Sequence, residues 1–149
     1  MREIAPSFFE IDTEALGQKG LVSSYLIKGD KKTVLVDPSF PSCAPVIQKK
    51  LRDNGVDPST IDYFLLTHFH FDHSGGVGLF IEDAPQAKVV IHKRSTFYVK
   101  NFPKIVGGAR LVFDDNLMQA FGEAKEVSED KIMGVDEGDV IDLGGRSLK

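Results

Sequence analysis

Residues 67–76 read Thr67-His68-Phe69-His70-Phe71-Asp72-His73-Ser74-Gly75-Gly76, placing three of the chain's four histidines and one aspartate within six positions. The preceding run, Ile61-Asp62-Tyr63-Phe64-Leu65-Leu66, is rich in the aromatic and branched apolar residues that fill a buried strand. A strand is therefore expected to deliver the cluster. Side chains alternate faces along an extended backbone, which predicts that His68, His70 and Asp72 point one way while Phe69 and Phe71 pack on the other side. His73 breaks the alternation, and the turn and helix-start chemistry of Ser74-Gly75-Gly76 is expected to swing its imidazole back toward the same space. Four donors then converge.

Imidazole nitrogen and carboxylate oxygen at this density suit zinc first, with iron and manganese as competitors, and no thiolate belongs to the set. Histidines at a strand end also serve as hydrogen-bonded core residues or lie in a solvated loop, but that reading fits a lone histidine better than this spacing. A metal held by neutral imidazoles and a carboxylate lowers the pKa of bound water from roughly 15.7 to about 7. Hydroxide then serves as nucleophile and no serine or cysteine is needed. Asp72 is the candidate catalytic residue, with two compatible tasks: holding metal and hydrogen-bonding the attacking water.

The His-x-His-x-Asp-His pattern after an apolar strand, followed by Gly-Gly, resembles the metallo-β-lactamase-fold superfamily. Leu35-Val36-Asp37-Pro38 upstream and Gly138-Asp139-Val140-Ile141-Asp142-Leu143-Gly144-Gly145 downstream agree with the resemblance, which spans nearly the whole chain. It implies an αββα sandwich, of which this chain holds the N-terminal half to two-thirds. It also implies two zinc ions in the complete site, the first served by His68 and His70 and the second by Asp72 and His73, with Asp37 as a hydrogen-bonding support beneath. In that family the remaining ligands follow the strand that begins near Arg146. The residues agree: Asp139 to Leu143 reads as a strand, Gly144-Gly145 as a hairpin turn, and Arg146 to Lys149 as the start of the return. The expectation is one domain over residues 1–149, incomplete at its C-terminus, with a complementary second chain as the alternative.

With 149 residues, 42% of them hydrophobic, the chain is sized for one globular unit with a moderate core. Formal net charge is −4, and basic residues occur as scattered pairs such as Lys31-Lys32, Lys49-Lys50 and Lys93-Arg94, so no nucleic-acid partner is expected. The single cysteine, Cys43, excludes an intrachain disulfide and reads as a buried or half-buried thiol. Neither a signal peptide nor an apolar run near the ~20 residues of a membrane span is present, which makes a cytoplasmic protein with no membrane partner the expectation. The oligomeric state is not specified by the sequence.

Along the chain, Leu21 to Lys28 and Thr33 to Asp37 read as strands joined by a turn at Gly29-Asp30-Lys31-Lys32. Ser42 is the expected cap of a helix running to about Asn54, with Gly55 just past its end. The resulting β-β-α-β order predicts an α/β or α+β class. A short helix from Gly75 to about Glu82 and a strand from Ala87 to His92 follow. Between Lys93 and Asp130, Ser95 to Lys100 and Asp115 to Phe121 look helical, while Pro103 and Gly107-Gly108 read as interruptions. The large apolar residues of this stretch, Phe97 and Phe102 among them, are expected to pack as core or to line a substrate pocket. His92, outside the motif, reads as a surface or supporting histidine.

The expected activity is metal-dependent hydrolysis of a small ester-like substrate, a thioester or a lactone. Alternatives within the same fold are an iron-dependent sulfur dioxygenase, a phosphodiesterase or nuclease, which the charge pattern disfavours, and an inactive fragment. Export-dependent β-lactam hydrolysis is disfavoured by the absence of an export signal. Flavin-dependent diiron reductases of this fold generally carry Glu where this chain has His70, which counts against that class.

Overall fold

The computed structural model describes residues 1–149. Two N-terminal strands, β1 (Arg2–Ala5) and β2 (Phe8–Asp12), precede β3 (Ser23–Lys28) and β4 (Thr33–Val36). Helix α1 (Ala44–Asp53) leads to β5 (Tyr63–Leu65), and α2 (Phe71–Ser74) with α3 (Val77–Asp83) leads to β6 (Lys88–His92). Three helices, α4 (Thr96–Lys100), α5 (Phe102–Arg110) and α6 (Asp115–Phe121), then connect to β7 (Ile132–Val135), and the chain closes with β8 (Ile141–Asp142) and β9 (Ser147–Leu148). The class is α/β, as the β-β-α-β order predicts.

Strands β1 to β7 form one sheet in sequence order. Neighbours up to β4 are antiparallel and joined by turns or loops, whereas β4 to β7 are parallel and need helical crossovers between them. Period-two alternation then sorts the apolar residues into two layers. Leu35, Phe64, Val89 and Ile91 face a main core of 27 buried residues, which includes Ile47 and Leu51 of α1 and Phe80 of α3. Val34, Val36 and Val90 face the other side, where Ile141 and Leu143 of the terminal segment cover them.

That terminal hairpin is docked on the turn between β3 and β4. Asp30 N–H donates to the Gly144 carbonyl at 2.9 Å and Lys31 N–H to the Leu143 carbonyl at 2.9 Å. Gly29 permits the approach, because a Cβ there would collide with the backbone carbonyl oxygen of Leu143.

Several local expectations change. Ser42 forms no side-chain cap: a 3-10 turn over Pro41–Cys43 runs straight into α1, whose first turn tolerates Pro45 because the N–H there lacks an intrahelical partner anyway. Pro103 and Gly107-Gly108 do not interrupt the chain but lie within α5, the proline in the first turn and both glycines exposed. Of the large apolar residues in this stretch, Phe102, Met118 and Phe121 are buried, while Phe97 and Tyr98 are exposed. Phe121 stacks on Phe40 with ring centroids 4.0 Å apart and planes 2° from parallel, tying α6 to the segment that follows β4. No helix is long and apolar enough to cross a membrane.

Candidate metal centre

The site forms beyond the carboxyl ends of β4 and β5, two parallel neighbours, where open α/β sheets place their ligands. After Val36 the backbone turns through two left-handed residues, Asp37 (φ 48°) and Ser39 (φ 60°). Aspartate enters that region more readily than most residues. The turn is held by hydrogen bonds from Asp37 N–H to the Leu65 carbonyl at 2.9 Å and from Ser24 Oγ to the Asp37 carbonyl at 2.6 Å.

Strand β5 stops at Leu65, so the face alternation expected through Asp72 does not extend into the motif. Thr67 and His68 lie in a bend, His70 precedes α2 in extended conformation, and Asp72 and His73 ride on that single-turn helix. Ser74 Oγ closes the loop, reaching the Phe69 carbonyl at 2.8 Å and the His70 carbonyl at 3.1 Å. Gly76 then docks the helix junction against the β4 turn: its N–H donates to the Ser39 carbonyl at 2.7 Å, and a Cβ would sit 2.6 Å from the Pro38 carbonyl oxygen.

His68, Asp72 and His73 come together, each offering one ligand atom, all within 4.8 Å of one another. His70 is not brought into this set; it is exposed, with its ring centroid 4.7 Å from that of His68. Asp37 lies beneath, 7% exposed. Its Oδ1 accepts the Thr67 N–H at 2.8 Å, and its Oδ2 accepts the Thr67 hydroxyl at 2.7 Å and the His73 Nδ1–H at 2.9 Å.

These bonds decide where the imidazole protons sit. An ionised carboxylate only accepts, so His73 gives its Nδ1–H to Asp37, which leaves Nε2 as the nitrogen available for ligation. The Thr67 hydroxyl has a single proton, already given to Asp37, so its contact with His68 Nδ1 at 3.0 Å is made by the histidine's N–H. Nε2 is then the lone-pair nitrogen of His68 as well. Burial first, then the neighbouring His73 and His70, holds the His68 imidazole below the usual histidine range, in its neutral, ligand-competent form. His73 Nε2 lies 3.3 Å from Asp72 Oδ2. Two donors of one four-coordinate ion stand about this far apart, so the donor set fits a metal ion.

Thr67 is the participant that the motif does not mark, because its role depends on a carboxylate 30 residues away. Beside the cluster, a cavity of about 560 Å³ is lined by Asp72 and His70 together with Phe69, Tyr98, Ile105 and Phe113. Phe69 and Tyr98 stack with centroids 4.0 Å apart, so part of the α4–α6 stretch does line a pocket. His92 instead pairs with Asp136, Nε2 to Oδ1 at 3.3 Å, and Cys43 is a buried free thiol.

Three comparisons with known proteins bear on this arrangement. The chain is 38% identical over 79 residues to "Flavo-diiron protein FprA2" of Clostridium acetobutylicum, a match covering 53% of the chain and 19% of that protein. It is 39% identical over 69 residues to "Probable hydroxyacylglutathione hydrolase glo2" of Schizosaccharomyces pombe, covering 44% of the chain and 26% of that protein. The solved FEZ-1 metallo-beta-lactamase of Legionella gormanii superposes with a TM-score of 0.73 at 22% identity over 98% of the chain, which spans 50% of that structure. The chain thus spans half or less of the length of each of these proteins. A model of the metallo-beta-lactamase superfamily matches residues 17–149, and with the fold and the His–Asp cluster in agreement, the chain belongs to that superfamily.

Proposed function

We propose that the chain supplies the metal-binding core of a hydrolase acting on a small ester-like substrate, a thioester or a lactone. The observation that carries this reading is the convergence of one ligand atom each from His68, Asp72 and His73 within 4.8 Å, with Asp72 also bordering a largely apolar cavity. His68, Asp72 and His73 would hold a divalent ion, zinc first by donor type. When bound, such an ion supplies Lewis acidity and a water that deprotonates near neutral pH.

The chain's own residues do the rest. Asp37 and Thr67 keep both imidazoles in the Nδ1–H tautomer. Asp72, which borders the cavity, is placed to accept a hydrogen bond from an incoming water, and the aromatic wall limits access of bulk solvent to the acyl group. His70, together with residues outside 1–149, is proposed to serve a second ion, and the domain is proposed to continue beyond this half. The name of the fission-yeast relative, a hydroxyacylglutathione hydrolase, supports acyl chemistry.

The relation to a flavo-diiron protein favours a second reading, iron-dependent redox chemistry. Metal analysis of the polypeptide as its gene encodes it, combined with thioester and lactone assays, separates the two. Zinc-dependent hydrolysis abolished by His68→Ala is the expected result. Iron retained from iron-replete cells, with no hydrolysis after zinc loading, would overturn the hydrolase reading.

A further inference from the structure

The 560 Å³ cavity falls within the size range of small-molecule sites and has three separable chemical features. One boundary is His70 and Asp72, which join it to the metal cluster. The bulk of its wall is apolar, with the stacked Phe69–Tyr98 pair, Ile105, Val112 and Phe113. Lys104 is the one lysine or arginine in the wall, and it forms no ion pair; its ammonium lies 5.1 Å from the Phe97 ring centroid.

Gly108 adds a fourth observation. It occupies the interior of α5, where glycine is the least favourable helix residue after proline, yet a Cβ there would meet nothing within 4 Å. Packing does not demand a glycine. Gly108 is exposed and belongs to the wall of the cavity, so a side chain there would have open space at that wall. The adjacent Gly107 has equally open surroundings but is not part of that wall, so it provides an internal control.

We propose that this cavity is an acyl subsite that selects substrates with an apolar acyl chain bearing a carboxylate, Lys104 pairing with the anion and Gly108 setting the length of chain admitted. Its assignment to acyl groups rests on the hydrolase reading; its capacity to bind an apolar carboxylate does not.

The test is calorimetric titration of the protein, freed of metal by a chelator, with hexanoate, octanoate, decanoate and the uncharged octanamide. Affinity is expected to rise along the acid series by up to about fourfold per buried methylene. Gly108→Leu flattens that series and Gly107→Leu leaves it intact, with circular dichroism and melting showing both variants folded. Lys104→Gln weakens octanoate by about two- to fivefold, the range of an exposed ion pair, and leaves octanamide unchanged. Affinity independent of chain length, equal effects of the two glycine variants, or indifference of octanoate to Lys104→Gln would each overturn the proposal. The zinc-loaded polypeptide, as its gene encodes it, is then assayed with acetyl thioester and with monothioesters of medium-chain dicarboxylic acids, whose free carboxylate would pair with Lys104. No turnover with the binding series intact removes the hydrolase reading while supporting the cavity as an apolar-carboxylate site.

Discussion

A single carboxylate, Asp37, fixes the proton positions of two histidines, one directly and one through the Thr67 hydroxyl. Supporting bonds of this kind typically change metal affinity by about 10–100-fold when removed. Asp37→Asn should produce a loss in that range, because asparagine tolerates the left-handed backbone at this position but presents a donor where His73 and Thr67 need an acceptor. Thr67→Val is expected to act in the same direction and Thr67→Ser to restore binding, each read by zinc competition against a chromophoric chelator. The sequence displays His68, Asp72 and His73 openly, since they are near neighbours in the chain. Asp37 is named beneath the site only by the family resemblance, and its link to Thr67 across 30 positions is concealed; strand alternation does not run past Leu65, and His70 lies outside the set that forms.

Among the elements, those with strong apolar periodicity are legible and those without it are not. Helix α6 and strands β4 and β6 lie where their side-chain pattern puts them, within a residue or so. Strand β1 has all four residues exposed and so offers no period to read, while β7 is short and carries Gly134. Helix α5 is hidden by residues that usually break helices, although its proline occupies a turn where no hydrogen bond is lost. At the β3–β4 turn, Gly29→Ala should destabilise the fold by roughly 1–3 kcal/mol, the usual range for overpacking, and urea unfolding would measure it. Asp12 organises the loop after β2 by accepting N–H bonds from Glu14 and Gly20, each at 3.0 Å. The Glu14 bond foremost holds its carboxyl below the ordinary 3.8, with burial opposing and Gly20 and Lys50 reinforcing. Its folded value being the lower one, this stabilisation is present above pH 3.8 and lost as pH falls through the folded value. Asp12→Asn should therefore lower the melting temperature at neutral pH and flatten the acid limb of its pH profile.

For the whole molecule, the sheet, the α4–α6 layer and the site meet at Phe40, which stacks on Phe121 and lies edge-on to Phe71 with centroids 5.9 Å apart. Phe40→Ala should cost about 3–5 kcal/mol in urea unfolding, as for other buried aromatic truncations. Three donors leave coordination positions open, so, on the proposal that the domain continues, residues 1–149 alone should bind zinc more weakly than the polypeptide as its gene encodes it. That difference is expected to exceed the roughly 10–100-fold effect of a supporting residue, and competition titration of the two forms would measure it. The sequence-order arrangement of the sheet also bears on biogenesis. Every strand from β2 to β7 pairs with the one synthesised just before it, so the sheet can grow at the ribosome without waiting for distant segments. Docking of β5 beside β4 brings Asp37 to Thr67, and the His68–His73 turn needs only the residues up to Gly76 to close. The metal-binding corner can therefore be assembled while the second half of this chain is still being translated.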